Sequence, residues 1–214
     1  MSSLLDPGIS EPLFAFMRLY ERVFHPLPYV AAVGLVAIVV EWRREDDGWR
    51  GLGYRFGAYA TALAAAVTPA AAYLLVTPTG ISTALVDPSW RLDLATALGV
   101  AAGAGLLWAL WTANGWGRIV PDAAALLLLA LLPYAAIAPF WDLSGHVTFT
   151  TVPTLFLLLV DRRFGPLLVV PAVMVVNRPL LGAHTWLQSV AGVAFAVAVI
   201  AVARRTVLDC EAYA

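Results

Sequence analysis

Val120-Pro-Asp-Ala-Ala-Ala-Leu-Leu-Leu-Leu-Ala-Leu-Leu-Pro-Tyr-Ala-Ala-Ile-Ala-Pro-Phe140 carries a single charge, Asp122, near its start and is otherwise almost wholly apolar. A bilayer's hydrocarbon core is about 30 Å thick, and a helix rising about 1.5 Å per residue needs roughly 20 such residues to cross it. Comparable blocks recur along the 214-residue chain, giving seven candidate spans at 26–42, 56–76, 93–112, 120–140, 145–160, 165–181 and 185–203. The chain is 61% hydrophobic and 13% charged, with a mean hydropathy of +0.82. A soluble domain of this size has about a quarter of its residues charged. These features predict an all-α, polytopic membrane helical bundle in one compact domain.

The flanking segments complete the expected organisation: an amino-terminal interfacial segment (1–25), a transmembrane helical domain (26–205) and a cytoplasmic tail (206–214). The first residues include Asp6 and Glu11 and no basic cluster, unlike a cleaved signal. Leu13, Phe16, Met17, Tyr20 and Phe24 then repeat at helical spacing with Arg18, Glu21 and Arg22 between them. That pattern suits a helix lying on the membrane surface or one covering the bundle. Arg43, Arg44, Arg50 and Arg55, then Arg118, then Arg162 and Arg163, then Arg204 and Arg205 mark alternate connections. The positive-inside bias assigns these to the cytoplasm, with the carboxyl terminus inside and the amino terminus outside. His25, Arg91, Asp142, His146, Arg178 and His184 are then all expected at the outer rim.

Other features bound the function. Lysine is absent, and Cys210 is the sole cysteine, which excludes an intrachain disulfide. A net charge of −1 without a basic patch gives no sign of a nucleic-acid partner. The partner the composition implies is the lipid bilayer. The lysine-free, Ala/Val/Leu-rich composition points to a GC-rich prokaryotic genome and hence to its cell membrane. Gly99-Val-Ala-Ala-Gly103 forms a small-xxx-small stripe suited to close helix packing.

Two segments carry groups with chemistry: Ser144-Gly145-His146, and Asn177-Arg178-Pro-Leu-Leu-Gly182-Ala-His184-Thr-Trp-Leu-Gln188. A charge at membrane depth is costly and marks a functional position. A guanidinium fork with two imidazoles can grip and transfer a phosphoryl group. Ser144 can cap a helix opening at Gly145, and a helix amino terminus favours a phosphate. Pro179 and Gly182 suit a tight turn that returns His184 toward Arg178.

Ser-Gly-His opening one apolar helix, followed by Arg-x5-His, resembles the PAP2 superfamily of membrane-integrated lipid phosphatases and phosphotransferases. The resemblance covers about residues 141–202. It implies a phosphohistidine mechanism without metal or other cofactor. His184 would be the nucleophile, His146 would protonate the leaving alcohol, and Arg178 with Ser144 and Gly145 would bind the phosphoryl oxygens. The implied substrate is a membrane lipid phosphate such as phosphatidic acid, phosphatidylglycerophosphate or a polyprenyl diphosphate, with water or a lipid alcohol as acceptor.

The chain departs from the family at several positions. Gln188 stands where an Asp would orient the nucleophile from the same helical face. The lysine-containing first motif is missing, and Leu143 and Asn177 replace a Pro and a Ser. Arg91 is a candidate for the missing positive charge, and Asp142 for orienting a histidine. These departures keep open a catalytically inactive, lipid-binding or structural membrane protein as the alternative. A zinc site built from His25, His146, His184 and Asp142 is a weaker third reading, because Arg178 would repel the cation. A transporter lacks the paired broken helices that such folds use.

Overall fold

A computed structural model describes residues 10–77, 90–208 and 213. Among these residues there is no strand. The elements are α1 (Glu11–Val23), α2 (Pro26–Arg44), α3 (Trp49–Val76), α4 (Trp90–Asn114), α5 (Ile119–Ile137), α6 (Gly145–Val160), a 3-10 helix (Arg162–Leu168), α7 (Val169–Leu180) and α8 (Trp186–Thr206). Asp6, Cys210 and most of the expected tail lie outside the described residues.

α2, α3, α4, α5 and α8 are long and apolar enough to cross a membrane, and α6 is a shorter apolar helix. On α8, Leu187 is 70%, Val190 53% and Val197 50% exposed. Such side chains need a nonpolar surround, and in a membrane protein lipid supplies it. The chain is therefore an all-α membrane protein.

The sixth expected span, 165–181, is not one continuous α-helix. Gly165 and Pro166 fall in the 3-10 helix, and α7 is only 12 residues long. At about 1.5 Å per residue such a helix covers roughly 18 Å, too little to cross a bilayer alone. Other boundaries move outward: α3 begins at Trp49 and takes in Arg50 and Arg55, and α4 begins at Trp90 and takes in Arg91.

The chain forms two compact units, residues 1–36 with 132–214 and residues 37–131. α2 and α5 each run from one unit into the other. In the second unit the Gly99–Gly103 stripe of α4 lies against Ala62 and Ala66 of α3, so the two backbones approach closely. Glu41, 2% exposed, accepts hydrogen bonds from the Trp111 indole N–H (2.5 Å) and from the backbone N–H groups of Ile119 (2.5 Å) and Val120 (3.4 Å). It thereby satisfies the open amino terminus of α5 from another helix. Arg55, equally buried, pairs with Glu45 and Asp47 and lies over the Trp116 ring.

In the first unit Tyr29 and Val33 of α2 pack with Leu157 of α6 and Val170 of α7. The Tyr29 and Thr154 hydroxyls share a buried hydrogen bond of 2.6 Å. Among the bonds that fasten α1 to α7, Asn177 Nδ2 donates to the Met17 carbonyl at 2.6 Å and the Tyr20 hydroxyl donates to the Val170 carbonyl at 3.0 Å. Burial, helped by Tyr29, pushes the Tyr20 phenol up to about 12, so it keeps the proton that this bond uses. α1 is thus a covering helix on the bundle, one of the two arrangements its sequence allowed. Leu19 and Val23 on its other side are exposed.

Candidate functional site

The candidate residues of the first unit gather at the start of α6, the end of α7 and the turn leading to α8. Ser144 is the N-cap of α6, and its hydroxyl accepts from the Val147 N–H at a long 3.5 Å. The Tyr134 hydroxyl donates to the Leu143 carbonyl at 3.1 Å. A Cβ on Gly145 would stand 2.7 Å from that hydroxyl oxygen, so the absence of a side chain here makes room for Tyr134. The sequence suggested another use for Gly145, the approach of backbone amides to an anion.

His146 occupies the first turn of α6. Its Nε2 is buried without a hydrogen bond and lies 3.8 Å from Glu21 Oε1 of α1. The His25 ring meets the His146 ring edge-on, with centroids 5.0 Å apart. Arg178, in the last turn of α7, donates from Nη1 to the same Glu21 oxygen at 2.5 Å, while its Nε is buried without a partner. One carboxylate oxygen therefore lies against both the guanidinium and the imidazole.

The turn after α7 is built on the Arg178 carbonyl, which accepts from the N–H groups of Ala183 (3.1 Å) and His184 (3.4 Å). Gly182 makes this possible with φ of +68°, a left-handed conformation that costs a side-chain-bearing residue about 1–2 kcal/mol. The turn seats His184 with 11% of its side chain exposed and Nδ1 3.3 Å from Asp142 Oδ2. That approach is close but poorly directed, so Nδ1 has no aligned hydrogen bond.

Burial lowers the His184 pKa from its ordinary 6.5; the Asp142 carboxylate opposes this and the Arg178 charge adds to it. His25 is lowered mainly by burial too, with Glu21 opposing and Arg178 adding. Neutral imidazole is thus the favoured form of both at neutral pH, and a neutral ring nitrogen is a nucleophile.

Gln188 is not placed to orient His184. α8 begins at Trp186 with Thr185 as N-cap, and Thr185 and Gln188 form a capping box. Gln188 Oε1 accepts from the Thr185 N–H at 2.7 Å, and Gln188 N–H donates to Thr185 Oγ1 at 3.2 Å. The carboxylate beside His184 is Asp142. Arg91 belongs to the second unit, in the first turn of α4.

Glu21 is the site residue that sequence reasoning missed. It follows Met17 by four residues, on the face of α1 turned to the bundle, and a charge within such a stripe was the available signal. Among the described residues no group of three or more His, Cys, Asp or Glu side chains is arranged to hold a metal ion. A cavity of about 480 Å³ lies elsewhere, in the second unit, lined by Tyr54, Ala58, Thr61, Leu110, Asn114 and Trp116. Comparison with family models, curated proteins and solved structures gives no match for this chain.

Proposed function

We propose that this protein is a membrane-integrated lipid phosphatase or lipid phosphotransferase, working at the extracytoplasmic face through a phosphohistidine on His184. The observation that carries the reading is the pairing of His184 Nδ1 with Asp142 Oδ2 at 3.3 Å in a turn folded on the Arg178 carbonyl. It supplies, from a separate segment, the orienting acid that the resemblance to the PAP2 superfamily requires and that position 188 lacks. With Nδ1 turned to Asp142, Nε2 is the atom left for attack.

In the first step His184 Nε2 attacks phosphorus, a P–N bond forms and the P–O bond to the lipid alcohol breaks. His146 takes up a proton from solvent as the negatively charged phosphoryl group binds beside it, and gives that proton to the departing oxygen. In the second step water or a lipid alcohol attacks phosphorus, His146 recovers a proton and the P–N bond breaks. Orthophosphate or a transferred head group is released. Arg178 stabilises the charge on the phosphoryl oxygens throughout.

The test is phosphate release by the detergent-solubilised protein from phosphatidic acid, phosphatidylglycerophosphate and a polyprenyl diphosphate, with EDTA present and His184→Ala as control. Release that survives EDTA and disappears in the control is expected. Equal release by His184→Ala would overturn the nucleophile assignment. The second reading, an inactive lipid-binding protein, is favoured by the Glu21 carboxylate resting on Arg178. It predicts no release across the panel from a folded protein that still binds these lipids.

A further inference from the structure

We infer that Glu21 is the specificity-determining residue of this site: its carboxylate is the resident anion on Arg178, and it admits only phosphoryl groups able to displace it. The inference rests on the phosphoryl-site reading of Arg178 given above.

Carboxylate and phosphoryl oxygens satisfy a guanidinium in the same way, through short charge-assisted hydrogen bonds. Glu21 Oε1 makes such a bond to Arg178 Nη1 at 2.5 Å and lies 3.8 Å from His146 Nε2. It therefore touches the two groups that the proposed reaction assigns to the phosphoryl oxygens and the leaving oxygen. The occupation is incomplete. Arg178 is 93% buried by side chain, yet its Nε has no hydrogen-bond partner, and neither has the buried His146 Nε2. Glu21 uses one prong of the fork and leaves another buried donor open. A phosphoryl group brings more acceptor oxygens than a carboxylate and can fill both.

Glu21 is also replaceable. Its side chain is 30% exposed, whereas that of Arg178 is 7% exposed. Its helix is held to α7 at Met17 and Tyr20, so the side chain can swing aside without α1 leaving the bundle. An incoming dianion meets the Glu21 charge before it gains Arg178, and like charges at this range repel. A free phosphate has nothing to set against that repulsion. A lipid-borne phosphate has its acyl or prenyl tail already in the bilayer, which holds the phosphate at the site. Glu21 thus selects membrane-borne phosphates over soluble ones.

The experiment is inorganic phosphate binding to the full-length solubilised protein, followed by titration calorimetry at fixed ionic strength. Glu21→Gln should bind phosphate at least tenfold more tightly than wild type. Glu21→Asp, which keeps the charge but withdraws it by one methylene, should fall between them and covers the case in which Glu21→Gln does not fold. The Glu21→Gln/Arg178→Gln double variant should lose the gain. Binding by Glu21→Gln or Glu21→Asp that is unchanged or weaker would overturn the inference, since a residue that merely props Arg178 weakens anion binding when removed. Lipid-phosphate turnover by the same samples separates the two claims. Tighter phosphate binding without turnover refutes the enzymatic reading and keeps the role of Glu21. Turnover without tighter binding does the reverse.

Discussion

Replacing Asp142 with Asn removes one charge beside His184 and changes the local shape little. In the proposed reaction the His184 ring gains positive charge as it attacks. Unit charges 3.3 Å apart attract by about 1.3 kcal/mol in a water-like medium and about 5 kcal/mol at an effective dielectric of 20. Asp142 is 70% exposed while His184 is 11% exposed, so the pair lies toward the screened end of that range. Exposed ion pairs contribute about 0.2–1 kcal/mol, and partial burial of one member raises this to about 1–2 kcal/mol. Turnover by Asp142→Asn should therefore fall by about 5–30-fold. The corresponding change to the buried aspartate of a serine-protease triad costs about 10⁴-fold.

The same variant should change the pH profile. In the proposed reaction attack needs neutral His184, so the rate should rise with pH through the His184 pKa. Asp142 holds that pKa up against burial and Arg178, and its removal should move the acid limb to lower pH. Initial rates of phosphate release from pH 4 to 8 read both effects. A loss beyond about 10³-fold would show that the pair is far less screened than its exposure indicates. An unchanged profile, or a limb shifted to higher pH, would remove Asp142 from the role of orienting acid.

Two further outcomes follow from the packing. Gly182→Ala places a side chain at φ of +68° and should destabilise the fold by about 1–2 kcal/mol while displacing His184. Thermal unfolding and turnover should fall together, and an unchanged turnover would detach the turn from the chemistry. Glu41→Ala leaves the Trp111 indole N–H and the Ile119 N–H without their acceptor, each orphaned donor costing roughly 1–3 kcal/mol. A melting temperature equal to that of wild type would show that these donors find other partners.

Much of the fold could be read from hydropathy, because membrane helices are defined mainly by length and apolarity. The starts of α2 at Pro26 and α6 at Gly145 fall where the sequence put them. The break within 165–181 has a physical cause. That segment is apolar enough for a span, but Gly165 and Pro166 disfavour an α-helical entry and leave only α7 beyond the 3-10 turn. The turn on the Arg178 carbonyl was legible from Pro179 and Gly182, since those residues fix a local geometry. The orienting group was harder to place. A residue four positions after His184 shares its face only if both lie in one helix, and His184 stands before the N-cap Thr185. Gln188 is thereby the third helical residue, with its side chain turned back to Thr185. Asp142 and Glu21 reach the histidines through tertiary packing, which no local spacing encodes.

The central claim is the covalent intermediate. The most direct measurement is rapid quenching of the solubilised protein during turnover of a lipid phosphate, at alkaline pH where phosphohistidine survives, followed by peptide mass spectrometry. The account predicts one phosphoryl group on His184, absent from His184→Ala and of unchanged yield in EDTA. Sustained turnover with no phosphorylated His184 at any quench time would contradict it.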